Sequence, residues 1–546
     1  MARFAHMAGW LAVALAALPH TAHAQPAVAV DAAEAATPSA LPAEISPTFE
    51  APPQASAEPP HPGSHYAGPR VAAEAEPEAL GWHRALDLSS RLLADGVSAI
   101  ETLGPLASDA RKVSGPAQID YRSRAGGRAY WLSDGFVRDA DGRVELELRH
   151  SDAATPETDL NGPLVRRAGV ELTTTIGRFT VGRTLSQWGL GLVASDGGED
   201  PMQFGGKRGG HVVTRLGWAF LPAALWQSGD PTKAFPLAIA VAYDWVGRDD
   251  LANRSGDTAH NAVAALLYQG SILHAGVYGV LRDQRDALGL STEAKILDGF
   301  ARWRVDAPQG RYAILAAEGA YITGSTGWMK TIGNPSGLDI AQYGGVARVE
   351  FGSPYWATRL EAGTASADGR PLDGTLRNFR FASDYHVGLV LFPQVQRVMA
   401  NNAARNLGDP QYSAYPPAGI ERLSTSGAVT QATYLHPVLR WQVSPLAAVL
   451  LGGVWAESPT AVADPYRTWL AGGKPTGPRG GAGSRDLGME FDAGLETVHG
   501  LGRWLNLIAR VDMGVWFPGA AFNDAAGQSM AAVGAWQGTL MLRSQR

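Results

Sequence analysis

The chain has 546 residues, with 46 Lys and Arg against 52 Asp and Glu, a formal net charge of -6 and no cysteine. The missing thiols exclude disulfides, cysteine nucleophiles and cysteine-ligated metal. An acid-leaning balance with its charges spread along the chain argues against a nucleic-acid partner, which needs a basic surface.

Residues 1–24 read as a signal peptide: Arg3 and His6 precede an apolar run from Met7 to Leu18, and Ala22-His23-Ala24 is a small-x-small cleavage site. The mature chain is then expected to start at Gln25. Residues 25–81, rich in Pro and Ala with few aromatics, are expected to be a disordered periplasmic tether. Over 82–142 a short helix and a linker or plug segment are expected, because Leu86, Leu93, Val97, Ile100 and Leu103 recur near helical spacing. A strand-like pattern at 117–133 fits either in a wall or beneath one.

From Arg143 the period becomes two. Val144, Leu146 and Leu148 alternate with Arg143, Glu145, Glu147 and Arg149, and Leu487, Met489, Phe491 and Leu495 alternate with Asp486, Glu490, Asp492 and Glu496. No later apolar run approaches the length of a membrane helix; the best are 235–246 and 445–456. The 65 Gly, 16 Trp, 15 Tyr and 15 Phe suit a barrel wall, with aromatics at both interfaces and Gly at turns.

Connections fall into two alternating sets. Tight ones lie at 176–177, 270–271, 307–310, 352–354, 444–445 and 500–502, with 227–234 the longest. Long polar ones lie at 151–163, 194–210, 248–259, 284–292, 323–338, 394–427, 457–485 and 517–528. Such alternation is expected when one set faces the periplasm and the other the outside. The fold expected is all-β: a transmembrane antiparallel up-and-down β-barrel over 143–546, with about 18 strands and a range of 16 to 20. Two of those strands are placed near 373 and 385.

If apolar positions face lipid, alternation turns Arg143, Arg167, Arg215, Arg302, Arg304, Arg359, Arg440 and Arg510 inward. Asp486, Glu490, Asp492 and Asp512 go with them, as do Glu145, Glu147, Glu171, Asp244, Glu318, Glu350 and Glu361. These residues would line a pore. The arginines then serve either as a selectivity surface for an anionic solute or as members of a cross-strand ionic network. Loop 194–210, with Asp196, Glu199 and Asp200 beside a Gly-rich run, could remain a solvated surface loop, bind calcium or fold inward as a constriction.

Several segments are familiar. Arg485-Asp486-Leu487-Gly488-Met489-Glu490-Phe491-Asp492 followed by Trp516 to Phe522 resembles the C-terminal hairpin of alginate-export-type outer-membrane porins, and Asp384 to Phe392 is similar to another segment of that group. Gly177 to Arg183 and Gln187 to Gly191 resemble porin strands and an uncharacterised family of outer-membrane proteins found in myxobacteria. The resemblance implies a barrel that conducts an anionic polysaccharide through an arginine-rich lumen. Two departures stand out: the lumen is charge-balanced, and Met541 to Arg546 lack the terminal aromatic of the barrel-assembly signal.

The 13 histidines are scattered and no Gly-x-Ser-x-Gly elbow occurs, so no enzyme, cofactor or metal site is expected. The expected partners are outer-membrane lipid, the barrel-assembly machinery and a hydrophilic or anionic solute, such as an exported polysaccharide. The alternative is a surface glycan-binding, lectin-like barrel plugged by its own loops, without transport.

Overall fold

The computed structural model describes residues 81–106, 110–133, 135–151, 161–206, 209–222, 236–330, 334–411, 416–502 and 504–544. The signal segment and the tether, Gly81 apart, lie outside these residues.

The first five strands are β1 Gly81–Leu103, β2 Ala110–Leu132, β3 Val137–Ser151, β4 Gly162–Thr174 and β5 Gly177–Ser186. They continue as β6 His211–Phe220, β7 Leu237–Arg248, β8 Thr258–Gln269, β9 Leu273–Arg285 and β10 Ser291–Ala307. Then come β11 Arg311–Thr326, β12 Leu338–Gly352, β13 Trp356–Ala365 and the two-residue β14 Thr375–Leu376. The last are β15 Ala432–Ser444, β16 Ala447–Glu457, β17 Asp486–Leu501, β18 Leu505–Pro518 and β19 Val533–Ser544.

Every neighbour pair in the wall is antiparallel, and β1 pairs with β19 from Ser89↔Arg543 to Val97↔Ala535. That last pairing closes an 18-strand barrel, so no strand edge meets hydrocarbon. β14 stands apart from the wall sequence, touching β12 in a short parallel pairing.

Alternation is the physical basis of the wall. Val144, Leu146, Leu148, Leu216, Leu281, Leu315 and Val511 are exposed on the outside, while their neighbours Glu147, Arg149, Arg215, Arg282 and Asp512 are buried within. Trp303, Phe351, Trp356, Trp441 and Trp504 lie exposed near the tight-turn end. Trp245, Tyr321, Tyr343 and Phe517 are exposed toward the other end, as in the two aromatic girdles of an outer-membrane barrel. The protein is an outer-membrane β-barrel.

Two expectations are corrected. The described residues of this stretch, 82–106 and 110–113, form no helix; they supply β1 and the start of β2, so the wall begins at Gly81 rather than at 143. The helix-like spacing arises because register shifts between Asp95 and Val97 and between Val97 and Ile100 change which residues face inward. Leu93 and Ile100 are therefore both buried although they differ in parity, while Leu86 is exposed.

The strands expected near 373 and 385 are absent from the wall, where β13 pairs directly with β15 through Gly363↔Tyr434. That stretch is too apolar on both faces for a lipid-to-water wall: Phe379, Phe381, Tyr385, Val387 and Leu389 are buried, and so are Ala382, Val390 and Phe392 of the opposite parity. Two strands gained and two lost leave the expected count unchanged.

A chain begun at Val137 would lack β1 and β2 and leave β3 and β19 with open edges. It is expected to lose the compact, heat-modifiable band in unheated SDS gels that the full chain gives. Leu146→Arg is expected to cost roughly 2–4 kcal/mol of folding free energy in lipid if it lies near the midplane, measured by denaturant titration in vesicles.

Candidate functional site: a lumen filled on one side and basic on the other

Most inward arginines expected from alternation sit beside carboxylates. Arg143 donates to Asp141 at 2.6 Å, Arg215 to Asp244 through two bonds of 2.7 Å, and Arg304 lies 2.8 Å from Asp306. Arg359 bridges Glu350 at 2.7 Å and Asp200 at 2.8 Å. Arg440 reaches Glu496 at 2.9 Å, and Arg510 reaches Asp512 at 2.9 Å and also donates to the Gln203 carbonyl. Arg167 lies 3.4 Å from Glu145. Arg302 also lies on an inward position of β10, among the residues with no ion pair within reach in the described structure.

Glu490, Asp492 and Asp512 are buried inside. Asp486 is different: Leu487 is a bulge residue that turns inward, buried among the apolar core, and Gly488 has φ +94°. Asp486 accepts the Gly488 N–H at 3.0 Å and holds that turn instead of extending the inward row. A bulge breaks strict alternation, which the sequence by itself does not announce.

The wall carboxylates have a second task, holding inward-turned loops by their backbone. In loop 187–210, Trp188 donates its indole N–H to Asp298 at 3.0 Å and stacks on Tyr278 at 4.6 Å. Leu190 and Leu192 N–H both donate to Glu318, and Gly205 N–H donates to Asp512. Loop 194–210 thus takes the inward course among its expected alternatives.

The second inward segment follows β13. Leu389, Val390 and Leu391 N–H all donate to Glu490 just after Gly388, whose φ is +69°. Ser383 donates to Asp250 through both its backbone and its hydroxyl. Asp384 accepts from Gly209 and Gly210, so the two inward loops are tied to each other. Helix α1, Arg397–Gly408, follows this segment. Its Asn402 and Asn406 donate to the Leu103 carbonyl at the β1 tip.

Phe204, Phe379, Phe381, Phe392, Tyr434 and Trp516 form an apolar core between these loops and the inner faces of β12 to β19. Glycine makes room for them. A Cβ at Gly452 would stand 2.5 Å from the Phe204 ring, and one at Gly344 would stand 2.4 Å from Phe379.

The remaining side is basic. On β1 to β4, Arg91, Arg122, Arg124, Arg149, Arg166 and Arg167 share Asp120, Glu145 and Glu147. Arg166 lies 3.0 Å from both Glu145 and Glu147, Arg124 donates to Glu147 at 2.7 Å, and Arg149 reaches Asp120 at 3.0 Å. Arg166 and Arg167 both point inward because a bulge opposite Glu145 and Leu146 places two residues on one side. The tip of loop 187–210 rests here: nitrogens of Arg122, Arg124 and Arg166 lie within 3.5 Å of where a Cβ on Gly209 would stand.

Sequence reading missed Arg91, Arg122 and Arg124 because it put β1 and β2 outside the wall. The alternation of Tyr121, Ser123 and Ala125 with Arg122 and Arg124 was the available signal. It missed Arg166 because nothing marks the bulge.

No family model matches the chain, and no curated protein matches it. Among solved structures it is similar to Pseudomonas aeruginosa OccK11 (OpdR), at 12% identity over 84% of this chain and 96% of that one, TM-score 0.45. The outer membrane protein OprD of the same organism is 10% identical over 86% and 96%, TM-score 0.45. Pseudomonas aeruginosa OpdQ is 10% identical over 84% and 97%, TM-score 0.46.

Between β16 and β17, helix α2, Pro465–Leu470, is capped by Asp464, which accepts the Arg467 N–H at 2.8 Å. Arg467 in turn donates to the carbonyls of Gly104 and Pro105 at the β1 tip. Burial raises Asp464 from the ordinary 3.8 to about 6, although the Arg467 N–H and charge oppose the rise. The folded loop therefore holds a proton that the unfolded chain has released between those values, so its stability falls as pH rises through 6. Amide exchange at Arg467 and Thr468, corrected for intrinsic rates, should show less protection at pH 7 than at pH 5. Asp464→Asn, which keeps an acceptor but cannot ionise, should remove that difference.

Glu490→Leu would leave the Leu389, Val390 and Leu391 N–H groups buried without acceptors, at a cost of about 1–3 kcal/mol for each. Faster exchange at those amides, with the barrel still heat-modifiable, is the expected outcome.

Proposed function

We propose that the protein is an outer-membrane channel for small, hydrophilic, anionic solutes, with its path along the basic strip of β1 to β4 and its opening controlled by the two inward loops. The observation that carries this reading is the strip itself. Six guanidiniums stand against Asp120, Glu145 and Glu147, with Glu199 of the loop a further partner 3.4 Å from Arg91. Two of these arginines still touch water: the side chains of Arg124 and Arg167 are 23% and 21% exposed.

A guanidinium offers a planar pair of donors to a carboxylate or phosphate, and a positive strip in a narrow lumen concentrates anions. A short solute suits the site better than an acidic polysaccharide, the cargo implied by the sequence resemblance. A polymer would have to thread past a packed core and both tied loops.

Planar-bilayer recordings test the reading. Stable unitary steps with reversal potentials favouring chloride over potassium are expected, and Arg124→Gln with Arg167→Gln should lower that preference, by roughly two- to tenfold. An unchanged reversal potential in the double variant would remove the strip from the path.

The second reading is a barrel plugged by its own loops that holds a glycan at the surface. The core of Phe204, Phe379 and Phe392 inside the wall favours it. Silence of properly folded protein in the same recordings, persisting in Glu490→Leu, would decide for this reading over the channel.

A further inference from the structure

Strands β5 and β6 have 10 residues each, fewer than β4 with 13 and β7 with 12. The chain between them, 187–210, turns inward instead of rising as an outer loop. A dip in the wall is left at the loop end, and it holds a polar cavity of about 200 Å³. Its lining comes from the tops of β3 and β4, from Arg183 of β5, from Gly247 and Arg248 of β7, and from the loop at 252–257.

The charged groups that line it divide into two kinds. Most are spent: Glu147 on Arg124 and Arg166, Arg149 on Asp120, Arg254 on Glu421 at 3.1 Å, and Asp257 on Arg422 at 2.6 Å. Arg183 and Arg248 are not. Among the described residues neither guanidinium has a hydrogen bond or an ion pair, and Nε of Arg183 is buried without an acceptor.

The two come from different strands and line the same cavity. A Cβ on Gly247, the residue before Arg248, would stand 2.8 Å from Nη2 of Arg183, so a side chain there would displace this guanidinium. Glu147, Asp250 and Asp384 act on Arg248 through their charges without bonding to it, so both guanidiniums keep donors that an anion in the cavity would complete.

We propose that Arg183 and Arg248 form a phosphate-binding site at the outer rim of the barrel. Two guanidiniums supply two positive charges and planar donor pairs, which match a dianionic phosphate group better than a single carboxylate. At this rim such a group can arrive on a soluble solute or on a lipid headgroup of the outer leaflet. The site is independent of whether the lumen conducts.

The test uses the full chain, purified in detergent and checked for heat-modifiable migration. Titration with inorganic phosphate, followed by calorimetry, reads the soluble source. Native mass spectrometry after incubation with a lipid bearing a phosphomonoester headgroup, and with its dephosphorylated counterpart, reads the membrane source. Saturable binding in either arm is expected to weaken about tenfold in Arg183→Gln and in Arg248→Gln and to vanish in the double variant. The pair Arg183→Lys with Arg248→Lys should keep part of it, and Arg254→Gln should leave it intact.

Phosphate binding in lipid-free protein assigns the solute source; retention of the phospholipid alone assigns the headgroup. Binding equal in wild type and double variant, or absent from wild type in both arms, overturns the proposal.

Discussion

Backbone pairing in a solvent that offers no hydrogen bonds is the constraint on which everything else in this molecule depends. The pairing of β1 with β19 satisfies it, since without that seam two strands would present unpaired N–H and C=O groups to lipid. Closure also fixes the division of the side chains. Once one face of each strand is committed to hydrocarbon, the ionic residues at alternate positions have only the lumen to occupy, and a wall of 18 strands leaves a lumen too wide for wall side chains alone to fill.

The molecule fills part of that space with its own chain. Loops that leave the wall after β5 and β13 carry aromatic residues inward and bring with them backbone N–H groups that need acceptors. Glu318, Asp512 and Glu490 meet that need from the wall. The same alternation that places acids in the lumen thus provides the hooks for the inward loops. A carboxylate accepting two or three backbone N–H groups is well satisfied without a cation, and among the described residues no ion pair is found for Glu318 or Glu490.

Charge is distributed unevenly as a result. Where the loops pack their apolar residues, acids face backbone; on β1 to β4, where the tip of loop 187–210 rests, arginines outnumber the acids they share. An overall net charge of -6 therefore coexists with a basic strip inside. Whole-chain charge describes solubility and long-range attraction, whereas the strip is a property of which strands lie side by side.

The sequence alone determined the strand period, the lipid face, the alternation of short and long connections and the inward placement of Arg143, Arg215, Arg359 and Arg510. These are local consequences of a two-residue repeat between oil and water. It also displayed the segments 187–191 and 384–392 as resembling segments of porins, without showing that they leave the wall. Tertiary structure decided the rest. Bulges at Val97, Arg166 and Leu487 change side-chain direction without changing composition, so β1 looked helical, Arg166 went unseen and Asp486 was assigned to the lumen. That Arg183 and Arg248 line one cavity, and that Glu490 meets a loop about 100 residues away, depends on contacts between distant parts of the chain. Periodicity records the direction of a side chain along one strand; it carries no information about what the closed wall brings opposite to it.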